Sequence, residues 1–187
     1  MWGSGTYYGD GSGGDLSRYP RARRCGLAIA TMTPGCELKY GVHSPLPGDI
    51  QTVPRAEINA FLLLCELAVP GASILFVTDH QALKTTFEMG PEHSTKTLNG
   101  ELYHKAFKYI QQKNLIMSIK WMPSHLNDPD RPPREIPLHV TPGDIIGNSL
   151  ADELANKGAL NAKLPLEISQ HIVYYTGLVE KYKVGGQ

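Results

Sequence analysis

Ile74-Leu75-Phe76-Val77-Thr78-Asp79 is the stretch on which the fold turns. Four successive apolar residues are too few for a helix, and an unbroken run of this kind marks a strand covered on both faces. Asp79 closes it. Just upstream, Pro70-Gly71 ends a segment opening near Thr52, in which Pro54 falls in the first turn and Ile58, Phe61, Leu62 and Cys65 recur at helical spacing. A helix delivering the chain into a buried strand predicts a crossover onto a parallel neighbour.

Working outward, Thr6-Tyr7-Tyr8 is β-prone and ends in Gly9-Asp10-Gly11-Ser12-Gly13-Gly14. A second apolar run covers 25–32. Pro34-Gly35 then turns the chain into 36–42, whose alternation predicts a half-buried third strand. Downstream, 81–88 and 99–113 read as helices and 115–122 as a fifth strand. Asn148 is expected to cap a further helix whose Leu150, Ala151, Leu154 and Ala155 face inward until Gly158. The expected fold is α/β: a five-stranded mixed sheet, three antiparallel strands then two parallel additions, flanked by helices, with the 74–77 strand central. The Pro- and Asp-rich stretch 126–147 reads as a long loop. The tail 161–187, with Ile168, Ile172, Val173 and Leu178 near helical intervals and Gly177 as an interruption, reads as an appended helix or the truncated start of something further.

Composition narrows the classes. The 187 residues suit about one domain; 41% hydrophobic and 19% charged residues exclude wholesale disorder. Eighteen Lys plus Arg balance eighteen Asp plus Glu, so polyanion binding must come from a local patch or a bound metal. Cys25, Cys36 and Cys65 form neither a disulfide framework nor a C-x-x-C pair, which predicts a reducing, intracellular setting, cytoplasm or nucleus. No apolar run approaches the ~20 residues of a membrane span, and the polar, Gly-rich start is no signal peptide.

Four acids stand in unusual places. Asp10 follows the first strand, Glu57 sits on the inner half of the first helix, Asp79 ends the buried strand, and Asp152 lies among core-facing residues of the late helix. Functional groups gather beyond the carboxyl ends of strands in open α/β sheets, so all four can meet. Carboxylates so gathered repel by about 4 kcal/mol per pair at 4 Å and an effective dielectric near 20, which demands a cation. Hard oxygen donors without His or Cys favour two Mg2+ ions, or Mn2+, and such a pair serves phosphodiester hydrolysis.

Five segments carry a family resemblance: 8–14, Arg55-Ala56-Glu57-Ile58-Asn59-Ala60, Val77-Thr78-Asp79, Ser124-His125, and Gly147-Asn148-Ser149-Leu150-Ala151-Asp152-Glu153-Leu154-Ala155. In this order they resemble the signature segments of ribonuclease H, over about residues 5–160. The resemblance implies cleavage of the RNA strand of an RNA:DNA hybrid, leaving 5′-phosphate and 3′-hydroxyl ends. It also implies Asp10, Glu57, Asp79 and Asp152 as ligands of two metal ions, with Asp10 shared, and His125 as an auxiliary proton carrier or product-release group. Gly11, Ser12 and Gly13 are implied against the RNA 2′-hydroxyls, with backbone approach eased by missing side chains. Thr52 and Asn99 are implied on DNA-strand phosphates, each with helix capping as the plain alternative.

Departures from the pattern are informative. Gly9 stands where the family usually has Thr, and Pro54 and Ile50 replace residues that touch nucleic acid in some members. No basic protrusion follows Asp79; Arg18, Arg21, Arg23 and Arg24, or Lys105 and Lys108, are the substitutes. Twenty-six residues separate His125 from Asp152, an interval long enough to displace the histidine. Missing basic handles suit a retroelement domain leaning on a fused or associated reverse transcriptase, the chain itself being monomeric. The rivals are a non-catalytic module of the same fold within a larger polyprotein, and a DNA nuclease or transposase.

Overall fold

The computed structural model describes residues 2–126 and 135–184. Three strands open it: β1 (Gly5–Ser12), β2 (Gly26–Met32) and β3 (Leu38–Pro45). Then follow α1 (Val53–Leu67), β4 (Ser73–Thr78), α2 (Gln81–Glu88), the one-turn α3 (Pro91–Ser94), α4 (Gly100–Gln112), β5 (Ile116–Trp121), α5 (Pro142–Asn161) and α6 (Leu166–Val184). The five strands lie in the order β3-β2-β1-β4-β5. β2 runs antiparallel to both β1 and β3, whereas β4 joins β1, and β5 joins β4, in parallel. The mixed sheet read from the sequence is therefore present, with β1 rather than β4 at its centre.

The sheet buries both faces. On one side Ile58, Phe61, Leu64 and Cys65 of α1 pack with Tyr7, Ile29, Ile74 and Phe76, and α4 adds Leu102, Tyr103 and Ala106. On the other, Ala151 of α5 meets Tyr8, Ala30, Val77 and Met122. Successive residues of β1 thus feed opposite cores, as the two-residue period of a strand requires. α5 lies directly on the β2 backbone: a Cβ on Gly26 would stand 2.1 Å from Ala159 N and 2.2 Å from Ala155 O. Glycine there sets the depth of the helix that carries Asp152.

Several expectations are corrected. Asn148 is not a cap. Thr141 is, because its hydroxyl accepts from Asp144 N–H at 3.2 Å while the Asp144 carboxylate accepts from Thr141 N–H at 2.7 Å, with Pro142 in the first turn. The loop expected over 126–147 accordingly ends at Thr141, and residues 127–134 lie outside the described residues. Asp152 stands in the third turn of α5 because that helix starts before Asn148. β3 is a largely exposed edge strand rather than half-buried, since nothing in the sheet lies beyond it. Gly177 does not interrupt α6. Cys25 and Cys65 are buried and Cys36 half-buried, all as free thiols. Among the described residues no helix is long and apolar enough to cross a membrane.

Candidate active site

β1 and β4 are parallel neighbours, with Tyr8 opposite Val77, so Asp10 and Asp79 both lie at the carboxyl end of this strand pair. α1 brings in the third acid through a close contact. A Cβ on Gly11 would lie 2.7 Å from Glu57 N and 2.8 Å from Ala56 Cβ, so the bare backbone at Gly11 lets the start of α1 rest against β1. Glu57 therefore enters the core beside Asp10, the two being 3% and 5% exposed. Carboxylate oxygens of Asp10, Glu57 and Asp79 lie within 4.8 Å of one another.

These three acids line a cavity of about 310 Å3 together with Gly11, Asp152, His80, Ser124, His125 and Asn148. All four predicted ligands thus share one cavity, Asp152 standing outside the tight triad. Trp121 Nε1 donates to Asp79 O at 3.0 Å, tying the end of β4 to β5, and Thr78 Oγ1 donates to Glu57 Oε2 at 3.5 Å. Asp152 Oδ1 accepts from Asn156 Nδ2 at 3.3 Å, and Asn156 Oδ1 accepts from Ser12 Oγ at 2.5 Å. One amide so links the end of β1 to the fourth acid.

The electrostatics of the three acids favour a cation between them. Burial, then the charge of Asp79, push the Asp10 carboxyl up to about 7, against a hydrogen bond with Glu57. Burial and the neighbouring Asp10 and Asp79 raise Glu57 well above the usual carboxylate range. Burial also raises Asp79, although the Asn148 amide and the nearby His125 oppose it. Desolvation and like charge act together on one cluster, as at functional carboxylates. A divalent cation reverses that balance. The donors are hard oxygens, and buried Asn148 Oδ1 has no partner among the described residues. This set fits Mg2+ or Mn2+.

The other expected site residues are placed as follows. His125, exposed and in a left-handed conformation (φ 54°), lines the cavity despite its distance in sequence from Asp152. The open space expected above Gly11 and Gly13 is taken by the protein: Glu57 and Ala56 fill the first, and Ser17 Cβ would lie 2.7 Å from a Cβ at the second. Ser12 spends its hydroxyl on Asn156. Thr52 occupies the N-cap position of α1 without a side-chain cap bond, and Asn99 does the same for α4 in a left-handed conformation. Asn99 Oδ1 instead accepts from Arg55 Nη1 at 2.8 Å, and Arg55 also pairs with Glu101, joining the starts of α1 and α4. The sequence marks Asn148 only as a cap and gives Asn156, Arg55 and His80 no role at the site. Their signal was slight, for amides near a helix read as caps and the contacts span up to 144 positions.

A central β1–β4 pair ending in clustered acids, with helices on both faces, defines the ribonuclease H fold. Solved structures agree. The chain is similar to the PFV RNase H domain in solution (21% identity, TM-score 0.56, covering 84% of this chain and 94% of that one). It is similar also to LC11-RNase H1 in complex with RNA/DNA hybrid (12% identity, TM-score 0.57, 84% and 97% covered). A third likeness is to the foamy viral protease-reverse transcriptase in complex with RNA/DNA hybrid (16% identity, TM-score 0.57); there 82% of this chain is covered, but it spans about a fifth of that protein's length. At such identities the likeness shows the fold. No protein-family model and no curated protein matches the chain.

Proposed function

We propose that this chain is a divalent-metal-dependent nuclease that hydrolyses the RNA strand of RNA:DNA hybrids, leaving 5′-phosphate and 3′-hydroxyl ends. The observation that carries the reading is the convergence of Asp10, Glu57 and Asp79 oxygens within 4.8 Å at the end of the β1–β4 pair. Three acids held in a cleft where they cannot all ionise cheaply are a cost that catalysis explains and a structural role does not.

Asp10, Glu57 and Asp79 would hold one ion, and Asp10 with Asp152 a second. When bound, such ions supply Lewis acidity, activating water and stabilising charge on the leaving 3′ oxygen. The chain's own groups arrange the rest. The Asn148 amide steadies Asp79, Thr78 Oγ1 steadies Glu57, and Asn156 Nδ2 steadies Asp152. An imidazole at the rim, His125, suits carrying a proton between a ring nitrogen and solvent. Gly11 lets α1 rest against β1 and so seats Glu57 beside Asp10. With Ser12 committed elsewhere, backbone groups of residues 11–13 are left to meet the RNA 2′-hydroxyl. Thr52 and Asn99, with Arg55 between them, form the polar rim for DNA-strand phosphates. Both the hybrid-bound likeness and the reverse-transcriptase likeness support a hybrid substrate and an attached or associated polymerase.

The test is a substrate panel: end-labelled hybrid, duplex DNA, duplex RNA and each single strand, with Mg2+, Mn2+ or chelator. RNA-strand cutting confined to the hybrid and dependent on metal supports the proposal. Equal cutting of duplex DNA, or none of any substrate by the folded chain, removes it.

A further inference from the structure

The chain is neutral as a whole, yet its charge is segregated. Residues 13–25 carry four arginines against Asp15, and 162–184 carry three lysines against Glu167 and Glu180, a surplus of four balanced by an equal deficit elsewhere. The two segments meet. Pro20 and Arg21 of the β1–β2 connection form one wall of a groove of about 560 Å3, and His171, Tyr175 and Val179 of α6 form the other.

The chemistry of this groove is not that of a core. Arg21 in one wall is exposed, and Tyr175 in the other is 60% exposed. Outside the lining, on the same two segments, Arg18 is exposed over the Tyr19 ring with its guanidinium carbon 4.7 Å from the centroid, and Tyr174 and Tyr182 are 62% and 78% exposed. His171 and Tyr175, one turn apart, hold their rings within 16° of parallel with centroids 6.5 Å apart. That is about twice the 3.4 Å rise of successive nucleotides along a strand. From His171 to Tyr182 the helix rises about 16 Å, the length of four or five stacked nucleotides.

The geometry points to a single-stranded nucleic-acid track, formed by the arginines of the β1–β2 connection and the aromatic stripe of α6. Arginines meet successive phosphates, and Tyr175, His171 and Tyr182 stack on bases, the combination that binds single strands without reading sequence. Position supports it: β1 carries Asp10 and then runs directly into the arginine segment, and α5 carries Asp152 about 13 Å before its own end near Lys163. The strand it takes is the unpaired continuation of a hybrid seated at the acids. That continuity rests on the proposed nuclease reading, whereas binding of a free strand does not.

The experiment uses the full chain and a fluorescein-labelled oligothymidylate of twenty nucleotides, read by anisotropy against salt, alongside cleavage of a blunt hybrid. Arg18→Ala with Arg21→Ala is expected to weaken oligothymidylate binding about tenfold and to reduce the log–log salt slope by about 1.4. Tyr175→Ala is expected to weaken it about tenfold with an unchanged slope, and Tyr175→Phe to restore it. Blunt-hybrid cleavage by Tyr175→Ala stays as in the parent, and thermal melting at the parent's midpoint shows that each variant folds. Loss of cleavage in the parent alone bears on the nuclease reading and leaves this one standing on the binding data. Parent-like binding in all variants overturns the track, as does a parent that ignores the oligonucleotide but self-associates through Tyr175.

Discussion

The Phe76 ring fills the space above Gly9: a Cβ at position 9 would lie 2.1 Å from Phe76 Cζ. Phe76 is fully buried and packed edge-on against Phe61 with centroids 5.3 Å apart, so it cannot swing away. Glycine before Asp10 therefore leaves the room that Phe76 takes across the β1–β4 pair. Gly9→Ala should destabilise the chain by about 1–3 kcal/mol through overpacking. Adding Phe76→Leu should cost less than the two single losses together, because the second change relieves the first. Urea unfolding of the four proteins measures the coupling.

Without metal, stability should fall as pH rises. Burial and Asp79 hold the folded Asp10 carboxyl at about 7, above its ordinary 3.8, and Glu57 is raised too. The folded state then binds more protons than the unfolded one between these values. Stabilisation is complete below about pH 4 and is lost as pH climbs through 7, with a slope of at most about 1.4 kcal/mol per pH unit for each group. Melting in chelator from pH 5 to 8 should show a falling midpoint, and Mn2+ at pH 8 should raise it again.

Asp144 should matter more to folding than an ordinary cap. It is 4% exposed, closes the capping box with Thr141 and accepts from Lys120 Nζ at 2.6 Å. Burial works against its charge, yet the bonds from Lys120 and Thr141 hold its carboxyl below the ordinary value. Asp144→Ala removes the return half of the capping box, the bond from Thr141 N–H, and leaves Lys120 half-buried without its partner, a loss of about 2–4 kcal/mol. Asp144→Asn, whose amide oxygen can still accept from Thr141 N–H, should lose less; chemical denaturation separates the two.

Arg55 joins α1 to Asn99 and Glu101. Both bonds leave one nitrogen, Nη1, and the shorter lysine stem would hold its ammonium about one bond short of that point. Arg55→Lys should therefore raise KM for the hybrid several-fold with kcat nearly unchanged, the pattern of lost ground-state binding. Steady-state kinetics over hybrid concentration read the split.

The legible parts of this molecule were those with a local pattern. Ile74 to Val77 announced a two-sided strand, and the 3.6-residue period of Ile58, Phe61 and Cys65 announced α1, so Asp10, Glu57 and Asp79 could be placed at one sheet end. The start of α5 was missed because Pro142 and Gly143 resemble a loop, although Thr141 followed three residues later by Asp144 was a readable capping signature. Gly11 showed an absent side chain but not what fills the space, which α1 supplies from 46 residues away. Asn148 and Asn156 were equally silent, since an amide's role depends on which distant group it faces.

Removing one acid should separate stability from activity. Because Asp10, Glu57 and Asp79 repel one another in a buried cluster, Glu57→Gln should melt higher than the parent in chelator at pH 8. The decisive reading is the rate at which Mg2+ or Mn2+ drives RNA-strand cleavage of an end-labelled hybrid by the parent and by Glu57→Gln. A fall of at least a hundredfold in the folded variant is expected; equal rates, or cleavage that persists in chelator, contradict the metal-binding role of these carboxylates.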